Sequence, residues 1–183
     1  MRSLWDSVCD GHGRPDVVVG VATGGEACAR YLDGSVPVFS ITLRRRATAT
    51  KKRARLPQLL RFLPYGVTNI LRQVEDMVGE LRSRPAIGQA VPDVSAELEH
   101  DIDRIRSRVR DLGARSLLVI DDAVDSGVTL SCVVSALRAA LPEVSVSSAV
   151  LTHTRRQSAF RADFALFDCV LCRFPWSFDY RAK

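Results

Sequence analysis

The sequence lacks the features of a membrane-spanning or secreted protein. Its 183 residues contain no apolar run of membrane-spanning length. The first residues, MRSLWDSVCDGHG, lack the basic-then-apolar layout of a secretory signal. The five cysteines are odd in number and scattered along the chain, which favours reduced thiols over a disulfide framework. We therefore expect a cytoplasmic protein that does not bind a membrane.

The sequence also offers little for covalent catalysis or for a cysteine-bound metal. Cys169 and Cys172 form a lone CxxC without a second pair, and we expect both to pack as apolar residues. No Ser-His-Asp or Cys-His constellation indicates a protein nucleophile. Hydrophobic residues make up 46% of the chain and charged residues 26%, which is typical of a globular domain with a substantial core.

The net charge of +5 is unevenly distributed along the chain. Eight basic residues and no acidic residue lie between positions 44 and 61: Arg44, Arg45, Arg46, Lys51, Lys52, Arg53, Arg55 and Arg61. A segment of this kind either binds an anionic partner or forms a solvated, mobile loop.

The stretch LLVIDDAVDSGVTL, from Leu117 to Leu130, has the most informative pattern. An apolar strand leads to Asp121 and Asp122, and an apolar helix begins near Val128. Carboxylates at the carboxyl end of a parallel strand lie where open α/β sheets bind ligands. The turn over 126–129 offers hydroxyls and the backbone N–H groups of a helix N-terminus, which suit a phosphate. An ordinary Asp or Ser helix cap would explain one of these polar residues but not all of them.

A second strand-to-helix turn lies about a hundred residues earlier in the chain. Residues 17–21 predict a buried strand, 22–25 a turn of small residues and 26–32 a helix. Apolar spacing elsewhere predicts a short helix around Leu4 and Val8, strands over 36–43 and 144–151, and helices over 67–81, 94–112 and 128–141. Asp93 is the expected N-cap of the helix over 94–112.

DDAVDSGVT resembles the phosphoribosyl pyrophosphate (PRPP) signature of the type I phosphoribosyltransferases, and is most similar to that of their 6-oxopurine branch. VATGG resembles the pyrophosphate loop of the same family. The resemblance implies an α/β, Rossmann-like fold, with a mainly parallel sheet flanked by helices and a helical insertion. It implies one phosphoribosyltransferase domain over 1–183, with a basic lid segment plus helical insertion over 44–113 and an acceptor-site region over 152–183.

The resemblance also implies roles for individual residues. Asp121 and Asp122 would hold the ribose hydroxyls and Mg²⁺. Asp125 would be the catalytic acid-base group facing the acceptor, with helix capping as the alternative. The 5′-phosphate would be bound by Ala123, Val124, Asp125, Ser126, Gly127, Val128 and Thr129. Pyrophosphate would be bound by Ala22, Thr23, Gly24, Gly25, Arg44, Arg45, Arg46, Lys51 and Lys52.

The acceptor half of the chain departs from the family pattern. The 6-oxopurine enzymes have a base-holding lysine at the end of the strand that follows the PRPP helix, where this chain has Thr152 and His153. They also have a basic residue in place of Thr23. The expected acceptor residues are Thr152, His153, Phe164 and Trp176, and core packing is the alternative for Phe164. Trp176 ends an FPW sequence that resembles the ending of some bacterial and archaeal members.

The resemblance therefore implies Mg²⁺-dependent transfer of 5-phosphoribose from PRPP to a nitrogen acceptor, a purine-like base, in a homodimer. The missing lysine and the long insertion favour a first alternative, transfer to a non-purine acceptor in a specialised pathway. The basic segment favours a second, a PRPP-sensing regulator of the same fold that binds nucleic acid. Because no stretch has a helix-turn-helix pattern, we expect no nucleic-acid partner.

Overall fold

The computed structural model describes residues 1–32, 34–43 and 96–177. The chain divides into two compact units, Met1–Arg44 with Pro92–Cys172 and Arg45–Val91 with Arg173–Lys183. All the described helices and strands belong to the first unit. The helices are α1 (Arg2–His12), α2 (Gly24–Ala29), α3 (Ala96–Asp111) and α4 (Val128–Ala140), and the strands are β1 (Val17–Val21), β2 (Val38–Ile41), β3 (Ser116–Val124), β4 (Ser145–His153) and β5 (Phe164–Asp168).

The five described strands form one parallel sheet in the order β2-β1-β3-β4-β5. Strand β1 lies between β2 and β3, with Gly20 opposite both Ser40 and Ile120. The direction in which successive strands are added therefore reverses between β1 and β3. In doubly wound sheets such a reversal opens a crevice at the carboxyl ends of the two strands, where ligands bind. The expected α/β fold with a parallel sheet is confirmed.

Helices cover both faces of the sheet. On one face, α3 and α4 pack against alternate strand residues such as Val19 and Val119 to form the main core cluster. The intervening residues Val18 and Leu118 are also fully buried, on the face that α1 and α2 contact. Burial on both faces explains why these strands are continuous apolar runs rather than alternating ones.

Several predicted bounds shift by a few residues. Strand β3 continues to Val124, so Asp121 and Asp122 lie inside the strand rather than after it. The buried residues of α3 include Leu98, Ile102, Ile105 and Val109, as the helical spacing predicts. The helix predicted to end at residue 112 ends at Asp111, and Leu112 is 53% exposed. The helix expected over 67–81 and the N-cap Asp93 lie outside the described residues.

Two carboxylates fix the register of neighbouring strands. Oδ2 of Asp16 accepts hydrogen bonds from the N–H groups of Arg115 and Ser116, both at 2.9 Å, and from the Ser116 hydroxyl at 2.8 Å. These hydrogen bonds lower the pKa of Asp16. Oδ2 of Asp163 likewise accepts bonds from the N–H and hydroxyl of Ser148, at 2.8 and 2.7 Å. Charge-assisted bonds of this kind tie β1 to β3 and β4 to β5.

All five cysteines are free thiols, as expected. Cys28 is buried, whereas Cys169 is exposed and has a positive φ of 57°. The prediction that Cys169 packs as an apolar residue is therefore wrong. Among the described helices, none combines the length and apolar character needed to cross a membrane.

Candidate active site

Two turns meet at the carboxyl edge of the sheet, where β1 and β3 end. The turn after β1 passes through a cis peptide bond between Ala22 and Thr23 into α2. Gly24 lies against the Asp122 carboxylate, and Gly25 lies against the Ile120 carbonyl, so a β-carbon at either position would overlap these groups. Glycine is thus required for the close approach of the two segments. The two motifs that the sequence places far apart are brought into contact.

Asp121 and Asp122 are electrostatically coupled. The Asp121 carboxylate accepts hydrogen bonds from the N–H of Asp122, at 2.9 Å, and from the N–H of Gly25. Burial, together with the negative charge of Asp122, nevertheless raises the pKa of Asp121 to about 8. At neutral pH and without a cation, Asp121 therefore keeps its proton.

Cys28 lies close enough to this pair for its charge to matter. Burial, followed by the charges of Asp122 and Asp121, raises the pKa of the Cys28 thiol to about 12. A thiol in this state is a poor nucleophile, because the thiolate is the reactive form. Cys28 is therefore not a candidate nucleophile.

The turn after β3 leads directly into α4. Gly127 is the N-cap of this helix and has a left-handed φ of 80°. A β-carbon there would also overlap the backbone of Phe160, so both conformation and space require glycine. Helix α4 begins at Val128, as predicted. The N–H groups of its first turn have no intrahelical carbonyl to bind, and they lie at the positive end of the helix dipole.

The Asp125 carboxylate contacts the segment that follows β4. Nε of Arg155 lies 2.5 Å from Oδ1 of Asp125, and the Thr154 hydroxyl donates a hydrogen bond to the same oxygen at 3.1 Å. The Arg155 side chain is only 9% exposed, whereas that of Asp125 is 53% exposed. The N–H of Val128, the first residue of α4, donates to the Ser126 hydroxyl at 3.5 Å, and among the described residues no N–H of α4 donates to the Asp125 carboxylate. The capping alternative for Asp125 is therefore not observed.

The acceptor candidates in the first unit have different surroundings. The fully buried Thr152 hydroxyl donates to the Val170 carbonyl at 2.6 Å. His153 is 1% exposed, and its Nδ1 has no hydrogen-bond partner among the described residues. Burial, and then the charge of Arg161, lower the pKa of His153, so its imidazole is neutral at pH 7. Phe164 packs edge-on against His12, with ring centroids 5.0 Å apart.

The remaining candidates lie in the second unit or outside the described residues. Trp176 belongs to the second unit, where its ring stacks on that of Phe174 at a centroid distance of 5.2 Å. The basic candidates for pyrophosphate binding lie outside the described residues, and their roles stay predictions: Arg44, Arg45, Arg46, Lys51 and Lys52.

Nearly the whole chain matches one known protein family. Residues 2–183 match the model of the phosphoribosyl transferase domain. The chain belongs to the phosphoribosyltransferase family. It is accordingly an enzyme that transfers a phosphoribosyl group, and the type I resemblance of DDAVDSGVT is confirmed.

Solved structures share the fold of this phosphoribosyltransferase. The xanthine-guanine-hypoxanthine phosphoribosyltransferase of Helicobacter pylori is 19% identical, with a TM-score of 0.50, and the match covers 91% of this chain and 78% of that one. The purine phosphoribosyltransferase of Pyrococcus horikoshii is 16% identical, with a TM-score of 0.51, and the match covers 100% and 89%. No curated protein matches the chain in sequence.

The carboxylate pair of the phosphoribosyltransferase fits a divalent cation. Two neighbouring acids, one of which holds its proton at neutral pH, are stabilised when a cation replaces that proton. Within the described residues, no group of three or more His, Cys, Asp or Glu side chains could hold a metal ion. Asp121 and Asp122 could supply two carboxylate ligands to a cation such as Mg²⁺, which commonly binds one or two carboxylates together with substrate oxygens and water.

The role of the segment after β4 was not predicted from the sequence. Thr154 and Arg155 contact Asp125, and the Ala159 N–H donates to the Ser126 carbonyl at 2.9 Å. The residues alone give no signal for it, because the contact depends on β4 lying beside β3, with both strands ending at the same edge. A basic residue soon after β4 is thus placed beside the turn after β3.

Proposed function

We propose that this phosphoribosyltransferase transfers 5-phosphoribose from PRPP to a ring nitrogen of a purine-like base, with Mg²⁺, and releases pyrophosphate. The observation that carries the proposal is the placement of two carboxylates and a helix N-terminus within one strand-turn-helix. Asp121 and Asp122 suit the ribose hydroxyls, and the turn at Gly127 suits the 5′-phosphate. Both ends of one ribose 5-phosphate therefore find complementary groups at the same edge of the sheet.

The reaction breaks the bond between ribose C1 and a pyrophosphate oxygen and forms a bond between C1 and the acceptor nitrogen. When bound, Mg²⁺ would neutralise negative charge on the departing pyrophosphate. The carboxylates of Asp121 and Asp122 would accept hydrogen bonds from the two ribose hydroxyls and orient the ring. The turn over 22–25 would bind the pyrophosphate, and Gly24 lets this turn approach the Asp122 carboxylate closely.

Asp125 would act on the proton of the acceptor. A nitrogen that attacks C1 must lose a proton, and a carboxylate within hydrogen-bond reach accelerates that transfer. The half-exposed position of Asp125, directly after the strand that carries Asp121, supports this role. Its contacts with Thr154 and Arg155 hold the carboxylate without removing it from solvent.

His153 would contribute to the acceptor site. Its imidazole is buried and neutral, and Nδ1 lacks a partner among the described residues. A neutral imidazole offers one donor and one acceptor to a base. The Thr152 hydroxyl donates instead to Val170, which leaves His153 as the polar candidate in place of the family lysine.

A panel assay tests the proposal. Pyrophosphate release from PRPP and Mg²⁺ is measured with hypoxanthine, guanine, xanthine, adenine and orotate. We expect turnover with at least one 6-oxopurine and none with orotate. Turnover with none of the purines would contradict the purine assignment, and salt-dependent nucleic-acid binding without any turnover would favour a regulator.

The PRPP site is tested separately by calorimetry. The double substitution Asp121→Ala and Asp122→Ala is expected to abolish PRPP binding in the presence of Mg²⁺. Asp6, an exposed carboxylate on α1, provides the matched control Asp6→Ala, which should bind PRPP with the affinity of the wild type. Unchanged affinity in the double variant would contradict the placement of the ribose.

Asp125→Asn separates catalysis from binding. Loss of the acid-base group is expected to lower kcat by about 10²-fold or more, the usual contribution of a positioned proton acceptor. PRPP affinity should change little, because the asparagine keeps the shape of the side chain. An unchanged kcat would contradict the acid-base role.

A further inference from the structure

Arg155 is buried at the edge of the sheet and faces the turn that carries Asp125. The strand register explains how the two residues meet. His153, at the end of β4, lies opposite Val124, at the end of β3, and the backbone N–H of Thr154 donates to the Val124 carbonyl at 2.9 Å. Asp125 and Arg155 follow directly from these paired positions. Their contact is thus set by the sheet rather than by two flexible loops.

The contacts to Asp125 fall on one of its two oxygens. The Arg155 Nε at 2.5 Å and the Thr154 hydroxyl at 3.1 Å both approach Oδ1. The contact with Arg155 is an ion pair whose N–H direction departs from that of a hydrogen bond. Both of these contacts are made by Oδ1, and the Asp125 side chain is 53% exposed. One oxygen is anchored and the other is available to a ligand.

We propose that Arg155 is a positioning residue, which fixes Asp125 through Oδ1 and leaves Oδ2 to take the proton of the acceptor. This inference rests on the acid-base role proposed for Asp125. In this role Arg155 would act on the reaction through the aspartate and not through a contact of its own with the sugar or the base. The acceptor is then a nitrogen that carries a proton, because an anionic oxygen held in this way can accept a proton but cannot donate one.

The charge and burial of Arg155 suit this task. A buried guanidinium needs a counter-charge, so Arg155 holds the Asp125 carboxylate in one place. The charge of Arg155 also offsets the repulsion between Asp125 and a phosphate bound in the adjacent turn. A mobile carboxylate would lose orientation, and errors in position lower the rate of proton transfer even where binding is kept.

The test compares Arg155→Met in two backgrounds, the wild type and Asp125→Asn, with the most active base of the purine panel. In the wild-type background we expect kcat to fall about 10- to 100-fold, with little change in the KM for PRPP. In the Asp125→Asn background the same substitution should have no further effect on kcat. Arg155→Lys, which restores the charge on a more flexible stem, should recover part of the lost activity.

A matched control is the neighbouring Arg156, which is exposed. Arg156→Met removes the same charge from the same segment and should leave kcat unchanged. If Arg155→Met does not fold, Arg155→Lys is measured in the two backgrounds instead, with a smaller fall expected only where Asp125 is present.

The outcomes separate this inference from the proposed function. A fall in kcat confined to the background that retains Asp125 supports the positioning role. An equal fall in both backgrounds, or no fall in either, overturns it while a low kcat of Asp125→Asn still supports the acid-base role. A normal kcat for Asp125→Asn overturns both.

Discussion

The Asp122 carboxylate occupies the space in which a side chain on Gly24 would lie. A β-carbon on residue 24 would overlap all three terminal atoms of the Asp122 side chain, whereas one on residue 25 would overlap the main-chain carbonyl of Ile120. The first conflict is with a side chain that can rotate, and the second is with a backbone that cannot. Gly24 is therefore needed for the position of the Asp122 carboxylate in the site, whereas Gly25 is needed for the close packing of the backbone.

Gly24→Ala should weaken PRPP binding without unfolding the protein. The added methyl displaces the Asp122 carboxylate from its position beside Asp121, and we expect the Kd for PRPP with Mg²⁺ to rise at least about 10-fold, or roughly 1.4 kcal/mol. Calorimetry measures the affinity. Gly34→Ala is the control, because a β-carbon at Gly34 meets nothing within 4 Å. Unchanged affinity in Gly24→Ala would show that Asp122 does not need this position.

Asp121→Asn should stabilise the protein at alkaline pH. Burial and the charge of Asp122 raise the pKa of Asp121 to about 8 in the folded protein, against about 3.9 in an unfolded chain. The folded state therefore binds more protons between these values, and wild-type stability falls as the pH rises through this window. Without metal, raising the pH from 5 to 9 should increase the free energy of unfolding of the variant, relative to that of the wild type, by about 1–3 kcal/mol. Denaturant unfolding in EDTA measures this difference, and a constant difference at both pH values would contradict it.

His153→Gln should reduce the loss of stability in mild acid. Burial lowers the pKa of His153, so below about pH 6.5 the unfolded chain takes up a proton that the folded protein does not. The stability contributed by the neutral imidazole is complete above that pH and is lost as the pH falls toward the folded pKa. Unfolding midpoints at pH 7 and pH 5 should differ less for His153→Gln than for the wild type. His100→Gln, on the exposed side of α3, should match the wild type.

Asp16→Ala should loosen the sheet at its amino end. The substitution removes three hydrogen bonds that Oδ2 accepts from Arg115 and Ser116, and we expect a loss of about 1–2 kcal/mol in the free energy of unfolding at pH 7. The lowered pKa of Asp16 means that this contribution is present above about pH 3.9 and is lost as the pH falls below it. The difference from the wild type should therefore shrink near pH 3. A difference that persists there would assign the effect to packing.

Much of the fold follows from local patterns in the sequence. Strands β1 and β3 are continuous apolar runs, and α3 has apolar residues at helical spacing, so each pattern specifies its element without knowledge of the neighbours. The meeting of Gly24 with Asp122 was also predictable in outline. Both follow parallel strands, and the carboxyl ends of such strands share an edge.

The contacts across that edge were not predictable from the residues alone. The pairing of Arg155 with Asp125 depends on which strand lies beside β3. The Thr152 hydroxyl was expected to bind the acceptor, and in the structure it donates a hydrogen bond to the Val170 carbonyl. Cys169 was expected to pack as an apolar residue, yet it follows the end of β5 at Asp168 and is exposed. Each of these depends on tertiary neighbours, which no local pattern encodes.

The hydrogen bond from the Ala159 N–H to the Ser126 carbonyl joins the segment after β4 to the turn before α4. That amide proton can exchange with solvent only when the two segments separate, so its exchange rate measures the free energy of their separation. A ligand that binds the turn and holds it closed would slow exchange at Ala159, which is not one of the residues proposed to bind the phosphate. Exchange at Ala159 would therefore report whether the turn at Ser126 is occupied.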